Sequence, residues 1–144
     1  MYENAVNHAL KYLGFKARTQ KEMETKLQSY GYTTEIIDKV LIMLKRYSYV
    51  DDEKYTQSYI KDSKNLKRYG NVRIRYELEK RGVSSNIIDI YLDDEGDAEN
   101  AIYHLNKKIG DNTELDKKTR DKLYAYLLRK GFSHSCVQST LKNY

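Results

Sequence analysis

The stretch that decides the fold is YGNVRIRYELEKRGV, residues 69–83. It predicts a helix that begins at Gly70 and ends at Gly82, because Ile74 and Leu78 stand four residues apart and therefore share one face. Glycine suits the end of a helix, since it adopts the left-handed conformation without a Cβ clash. The stretch thus predicts a short helix with one apolar stripe and several basic side chains elsewhere on its surface.

The same pattern occurs three times along the chain. Gly31 and Gly131 occupy the position of Gly82, at separations of 51 and 49 residues. An apolar residue follows each glycine, and a hydroxyl residue that can cap the next helix comes directly after it. Twelve residues before the glycines stand the predicted starts of the preceding helices, which are Thr19, Gly70 and Thr119. We interpret this as a tandem repeat in which a helix, a glycine and a capped second helix recur.

The repeat predicts an all-α protein. We expect three tandem three-helix repeats over residues 1–50, 51–94 and 95–144, with helix-turn-helix-like connections. Proline is absent, and β-branched residues do not alternate with polar ones over any long run, so strands are disfavoured. Each repeat is too small to bury a secure core alone, so neighbours must stack. We therefore expect an elongated, curved body.

Charge is unevenly distributed along the 144 residues, whose net charge is +5. Residues 61–81 hold eight Lys or Arg and three Asp or Glu, and residues 107–130 hold eight basic and four acidic residues. Residues 89–99 hold six acids and no base. Such blocks create local fields that are larger than the net charge suggests.

Several function classes find no support in the sequence. No apolar run approaches the ~20 residues that span a bilayer, and no signal-peptide pattern opens the chain, so we expect a cytoplasmic protein. The single Cys136 occupies a core-facing repeat position and is interpreted as a small hydrophobe. The three histidines lack metal-site spacing, and no phosphate-binding glycine loop is present. The acidic pairs Asp51–Asp52 and Asp93–Asp94 are interpreted as helix caps rather than metal ligands.

Four stretches, in this order, resemble the RecX family, which regulates the bacterial RecA recombinase. They are YLGFKARTQKEMETKLQSYGY (12–32), the join from Leu44 to Tyr55, YGNVRIRYELEKRGV (69–83) and YLLRKGFS (126–133). The resemblance covers nearly the whole chain. Departures are Thr19 for the usual Ser, Met23 for the usual Leu, and Ser48 where Gly is common.

The resemblance implies a regulator without catalytic activity or a cofactor. Family members bind the RecA–DNA nucleoprotein filament, lie along its groove and suppress its ATP hydrolysis, strand exchange and co-protease function. The implied partners are the RecA filament and, weakly and independently of sequence, single- and double-stranded DNA. The implied setting is DNA repair, homologous recombination and the SOS response, with the regulator acting as a monomer.

The candidate contact residues are basic side chains near the helix ends of each repeat. A stripe of such side chains would contact phosphates or acidic surface on the recombinase, whereas charge runs in general are often only solvated helix faces. The set comprises Lys16, Arg18, Lys21, Lys26, Arg68, Arg73, Arg75, Lys80, Arg81, Lys118, Arg120, Lys122, Arg129 and Lys130. For Arg73 two alternatives stay open: bidentate phosphate binding, or an ion pair with Glu77 one turn later.

Two other functions fit parts of the sequence. A helix, a glycine turn and a second helix also describe a helix-turn-helix repressor of duplex DNA. Against it, the second helices (34–46, 84–92 and 133–142) carry few side chains suited to base edges. The remaining alternative is a protein-interaction solenoid that makes no contact with nucleic acid.

Overall fold

Every regular element is helical in the computed structural model, which describes residues 1–111, 114–142 and 144. The α-helices within these ranges are α1 (Tyr2–Leu13), α2 (Gln20–Ser29), α3 (Thr34–Arg46), α4 (Asp52–Asp62), α5 (Asn71–Lys80), α6 (Ser85–Tyr91), α7 (Asp97–Ile109), α8 (Lys117–Arg129) and α9 (His134–Leu141). A π-helical turn, Ser63–Lys67, continues α4. The predicted all-α class with three successive three-helix repeats is confirmed, while the elongated, curved body stays a prediction.

The glycine and hydroxyl positions behave as the repeat predicts. The three repeat glycines are left-handed, with φ of +86°, +86° and +101° at Gly31, Gly82 and Gly131. The side-chain oxygens of three hydroxyl residues accept a hydrogen bond from the backbone N–H three residues later, at Thr33, Ser84 and Ser133. Local chemistry therefore fixes where each second helix ends and each third helix begins.

The second helices of the first and third repeats are capped by different kinds of residue. Thr19 forms the expected capping box: its hydroxyl accepts from the Glu22 N–H at 3.1 Å, and the Glu22 carboxylate accepts from the Thr19 N–H at 3.0 Å. The predicted start at Thr119 is wrong. Helix α8 begins at Lys117 and is capped by Asp116, whose carboxylate accepts from the Thr119 N–H at 2.7 Å. The Asp116 carboxylate, three residues before Thr119, thus satisfies the Thr119 N–H, and its negative charge also complements the helix dipole.

The chain divides into two compact units. The N-terminal unit comprises residues 1–58 and 78–90, and the C-terminal unit comprises residues 59–77 and 91–144. The N-terminal unit buries side chains of α1, α2 and α3, including Ala9, Leu27 and Leu44. The C-terminal unit buries side chains of α7, α8 and α9 around Phe132. The residues of these two buried clusters come from the first and the third repeat.

In the N-terminal unit the start of α2 meets the end of α5. The Thr19 hydroxyl, which is fully buried, donates to the Arg81 carbonyl at 2.7 Å. The Gln20 N–H donates to the Asp52 carboxylate at 2.8 Å. Gly82 is required here, because a Cβ on it would lie 2.2 Å from the Cβ of Lys21. We call this contact a helix joint, since the positive start of one helix lies against the negative end of another.

The C-terminal unit contains a second helix joint of the same kind. The N–H groups of Gly70 and Val72, at the start of α5, donate to the carbonyls of Lys130 and Gly131 at the end of α8, both at 2.9 Å. The Asn71 N–H donates to the Asp97 carboxylate at 3.1 Å. Asp97 thus corresponds to Asp52 of the first joint, and each acid satisfies a helix start far from it in sequence.

These contacts correct part of the capping prediction. Asp51 caps its own helix, since its carboxylate accepts from the Lys54 N–H at 3.1 Å, but Asp52 serves α2 instead. The Asp93–Asp94 pair does not cap α7. Asp93 accepts from the Glu95 N–H at 3.0 Å within the preceding turn. Gly96, at φ +84°, begins α7 without any side-chain cap, because the left-handed turn there leads the chain directly into the helix.

Candidate nucleic-acid interface

A groove of about 450 Å³ in the N-terminal unit carries four of the predicted cations. Its lining residues come from α1, α2 and the end of α5, and the cations among them are Lys21, Lys26, Lys80 and Arg81. Glu22 is the acid in this lining. The helix joint creates the groove, because it sets the basic end of α5 beside the start of α2. We call this feature the basic groove.

Tyr12 organises the cations at one side of the basic groove. The Arg18 guanidinium lies over its ring, 3.8 Å from the centroid, and the Lys26 ammonium lies 5.2 Å from it. Lys26 also lies 5.5 Å from the ring of Tyr30. The buried Nε of Arg18 has no hydrogen-bond partner within the described residues. Cation–π contacts of this kind hold long side chains in defined positions while the charge remains available.

Other cations of the basic groove have partners of different strength. Arg81 donates from its guanidinium to the Tyr55 hydroxyl at 3.1 Å. Lys21 forms an ion pair with Glu24 at 3.8 Å, in which the two side chains are 58% and 32% exposed. Pairs this exposed contribute at most ~1 kcal/mol, so Lys21 exchanges its partner readily for an anionic ligand.

In the C-terminal unit three tyrosines each carry two cations. Tyr69 carries Arg73 (3.9 Å) and Lys67 (5.8 Å), so the Arg73 guanidinium is engaged by a ring that neither sequence alternative anticipated. The other pairs are Arg68 at 4.1 Å and Lys107 at 5.2 Å on Tyr103, and Lys108 at 4.6 Å and Lys130 at 5.5 Å on Tyr126. We call these six cations and three rings the tyrosine–cation cluster.

Sequence reasoning missed three members of this cluster. Lys67, Lys107 and Lys108 are not among the predicted contact residues. Tyr103 and Lys107 are four residues apart on one helix, and this spacing is the signal from which Lys107 could have been predicted. Lys67 is two residues from Tyr69, whereas Lys108 contacts Tyr126, which is 18 residues away in sequence.

His104 fixes the backbone beneath the tyrosine–cation cluster. Its Nε2 lies 2.8 Å from the Arg68 carbonyl, so that nitrogen donates, and its ring packs against Tyr103 and Phe132. Burial, together with neighbouring cations, lowers the pKa of His104. The histidine is therefore neutral near pH 7 and supports Arg68, whose backbone is left-handed at φ +57°.

The remaining predicted residues do not converge on these two features. Lys16 is exposed between α1 and α2, and Arg129 is exposed at the end of α8. Arg75 is half-buried on α5. Arg120 donates to the carbonyls of Leu141 and Tyr144, and so holds the end of α9.

Lys118 lies in the first turn of α8, Lys122 lies near its middle, and Lys130 follows its last residue. Both Lys118 and Lys122 are exposed. Lys118 is twelve positions before Lys130, a distance of ~18 Å along a helix. The third-repeat cations are therefore spread along the length of α8.

The described part of the chain lacks the features that a metal site or a membrane span requires. Residues 1–111, 114–142 and 144 contain no group of three or more His, Cys, Asp or Glu side chains arranged to hold a metal ion. None of the helices there combines the length and the apolar character that crossing a membrane requires. Cys136 is half-buried, and burial is the main cause that raises the pKa of its thiol.

Comparison with known proteins places the chain in a family. Models of the first, second and third three-helix domains of RecX match residues 5–42, 51–92 and 95–141. The chain belongs to the RecX family. Members of this family are named regulatory proteins, and the resemblance found in the four sequence motifs is confirmed.

Individual RecX proteins align over nearly all of the chain. Regulatory protein RecX of Clostridium botulinum (strain Alaska E43 / Type E3) is 36% identical over 93% of this chain and 65% of its own length. That of Finegoldia magna is 33% identical over 95% of this chain and 70% of its own. The chain therefore spans about two thirds of the length of the Clostridium relative. The crystal structure of RecX from Lactobacillus salivarius superposes with a TM-score of 0.83 at 26% identity, covering 98% of this chain and 94% of that one.

Proposed function

We propose that this protein binds the RecA–DNA nucleoprotein filament and inhibits its ATPase, strand-exchange and co-protease activities, thereby modulating DNA repair, homologous recombination and the SOS response. It acts without catalysis and without a cofactor, as a monomer in the cytoplasm where the filament forms. The three repeats, residues 1–50, 51–94 and 95–144, are the proposed contact modules. Membership of a family of regulatory proteins supports this function.

The basic groove is the observation that carries the proposal. Lys21, Lys26, Lys80 and Arg81 surround one concavity, and Tyr12 positions Lys26 there. A concave surface lined by cations attracts polyanions such as a phosphate backbone. The tyrosine–cation cluster offers a second basic surface of the same chemistry in the C-terminal unit. The predicted cations outside these two features are weaker candidates for direct contact.

The test adds the purified protein to a RecA-type recombinase assembled on single-stranded DNA and follows ATP turnover. We expect turnover to fall at substoichiometric protein. Unchanged turnover at equimolar protein would refute the proposed inhibition.

A charge-reversal pair then tests the groove itself. Lys80→Glu places an acid in the basic groove, and Lys11→Glu places one on α1, outside the groove lining. Both lysines are exposed and lie in the last turn of a helix, so the unfavourable helix-dipole interaction is matched. We expect Lys80→Glu to weaken inhibition and to lower the slope of log DNA affinity against log salt concentration by ~1. We expect Lys11→Glu to leave both the inhibition and this slope as they are in the parent. Equal behaviour of the two variants would remove the groove from the mechanism.

Two assays distinguish the alternative functions. A strong preference for one duplex in gel-shift competition would favour a helix-turn-helix repressor, whereas sequence-independent binding that weakens steeply with salt favours the filament regulator. Partner binding that survives charge reversal at Arg73, Arg75 and Arg81 would favour a protein-interaction solenoid without nucleic-acid contact.

A further inference from the structure

Helix α3 carries a second stripe of side chains besides the one that builds the core. The core stripe consists of its buried residues, which are Ile37, Val40, Leu41 and Leu44. The second stripe repeats the same helical spacing of i, i+3, i+4 and i+7, and it consists of Lys39, Ile42, Met43 and Arg46. In this second stripe two apolar side chains therefore lie between two cations.

The second stripe forms one wall of a groove of about 490 Å³ in the N-terminal unit. Tyr2, the first residue of α1, and Tyr47, which follows α3, complete the described lining. Ile42 is 61% exposed and Tyr47 is 64% exposed, while Met43 is half-buried and also packs against the core cluster. Single exposed apolar side chains are common on protein surfaces, but a contiguous, concave set of them is typical of an interaction site. We call this feature the α3 groove.

The α3 groove is positively charged. Lys39 and Arg46 are its charged lining residues, and no acid lies among the described residues that line it. Lys39 pairs with Glu35 at 4.0 Å, but the two side chains are 64% and 83% exposed, so the pair contributes little and opens readily. Arg46 is exposed and forms no ion pair with another described residue. Both cations can therefore pair with carboxylates of a partner.

The chemistry of the α3 groove favours a protein partner over a nucleic acid. A phosphate backbone gains from cations, of which the basic groove offers four and the α3 groove two. Four of the six described lining residues of the α3 groove are apolar or aromatic, which suits the apolar face of an amphipathic helix. Lys39 and Arg46 stand seven residues apart, ~10.5 Å along α3. Acids two turns apart on a partner helix would match this separation.

We propose that the α3 groove binds an acidic amphipathic helix of a partner protein. The apolar side chains of the partner pack on Ile42 and Met43, and the acids on either side of them pair with Lys39 and Arg46. The expected pattern in the partner is an acid, apolar residues three and four positions later, and a second acid after seven. This inference does not rest on the proposed inhibition of a recombinase.

The experiment titrates the ¹⁵N-labelled full chain with an alanine-based helical peptide in which two glutamates, seven residues apart, flank a pair of leucines. One control peptide replaces the glutamates by lysine, and a second replaces the leucines by alanine. We expect saturable shifts of the backbone amides of residues 2–6 and 39–47 with the first peptide and little change with either control. Absence of saturable shifts, or equal shifts with the acidic and the basic peptide, would overturn the proposal.

Variants assign the binding to the α3 groove. Ile42→Ala shortens an exposed side chain and leaves the core intact, and we expect it to weaken binding of the acidic peptide about tenfold through lost apolar contact. Arg46→Glu should weaken binding of the acidic peptide about fivefold and allow the lysine peptide to bind. Lys11→Glu, an equal change in the last turn of α1 outside the groove lining, should alter neither. Unchanged affinity in Ile42→Ala would refute the assignment.

Two measurements distinguish other occupants of the α3 groove. Displacement of the bound peptide by an oligothymidylate would assign the groove to nucleic acid and overturn the proposal, whereas a peptide that stays bound supports it. Sedimentation equilibrium of the chain alone tests for a second copy of this protein. A dimer that Ile42→Ala dissociates would overturn the proposal in favour of self-association, and a monomer supports it.

Discussion

Replacing Gly70 by alanine tests the helix joint of the C-terminal unit. Gly70 is buried at the start of α5, and a Cβ added there would lie 2.3 Å from the Gly131 carbonyl oxygen and 2.6 Å from the Phe132 nitrogen. These neighbours are backbone atoms, so no side-chain rotation relieves the clash. The joint must open, and the hydrogen bonds from the N–H groups of Gly70 and Val72 are lost or lengthened.

The expected magnitude follows from three opposing terms. Gly70 is not among the glycines with positive φ, so alanine alone would stabilise the fold by ~0.4–1 kcal/mol through the entropy of the unfolded chain. Two lost hydrogen bonds cost ~1–3 kcal/mol, and overpacking costs a further ~1–3 kcal/mol. We therefore expect Gly70→Ala to lower the free energy of unfolding by about 2–5 kcal/mol. The sign of the change is the diagnostic result.

Urea unfolding followed by circular dichroism measures this change, and amide hydrogen exchange at Val72 reports on the joint itself. Gly14→Ala is the matched control. Gly14 also has negative φ, −62°, and an added Cβ there would lie no closer than 3.2 Å to any neighbour. We expect that variant to remain within ~1 kcal/mol of the parent. A Gly70→Ala protein as stable as the parent would show that the joint does not constrain this position.

Two further predictions concern the N-terminal unit and its caps. Thr19→Ala removes both a helix cap and the hydrogen bond to the Arg81 carbonyl, so we expect the free energy of unfolding in urea to fall by ~1.5–3 kcal/mol. Thr119→Ala changes an exposed residue that does not cap α8, and we expect it to lower that free energy by less than ~0.5 kcal/mol. Equal losses in the two variants would contradict this prediction. Burial raises the pKa of Asp52 above its ordinary value of 3.8, so the folded state binds this proton more tightly than the unfolded state does. The contribution of Asp52 to stability is therefore greatest at low pH and is lost as pH rises through the folded-state pKa. Relative to Asp52→Asn, the parent should therefore gain stability between pH 7 and pH 4 in urea titrations, and the opposite trend would refute the assignment.

The sequence was sufficient for features that depend on neighbours within one turn. Glycine stops at residues 31, 82 and 131 and the capping box at Thr19 rest on local backbone chemistry, and all of them are present. The departure at Ser48 also has a local explanation. Its φ is +61°, a conformation in which glycine is less strained, which accounts for a position where glycine is common in the family motif.

Features that depend on distant residues could not be predicted. The pairing of Asp52 with Gln20 and of Asp97 with Asn71 links residues 32 and 26 apart in sequence, so no local pattern announces it. The predicted cations were treated as one stripe, but the structure distributes them by what each side chain can reach. Lys26 reaches a tyrosine ring, while Arg120 reaches the backbone of α9. The π-helical turn after α4 also has no clear local signature.

The self-capped start of α8 sets a direction in which this architecture can be lengthened. Helices α2 and α5 begin against another helix and borrow a carboxylate from the following repeat, but α8 supplies its own Asp116. A duplicated repeat grafted after the third would meet an α8 start whose backbone N–H groups are already capped by Asp116. A repeat grafted ahead of the first would find space beside Gly31, where an added Cβ lies within 4 Å of no atom of the described residues. A repeat added there would also need a carboxylate at the start of α1, where Tyr2 stands at the place that Asp52 and Asp97 take in α4 and α7.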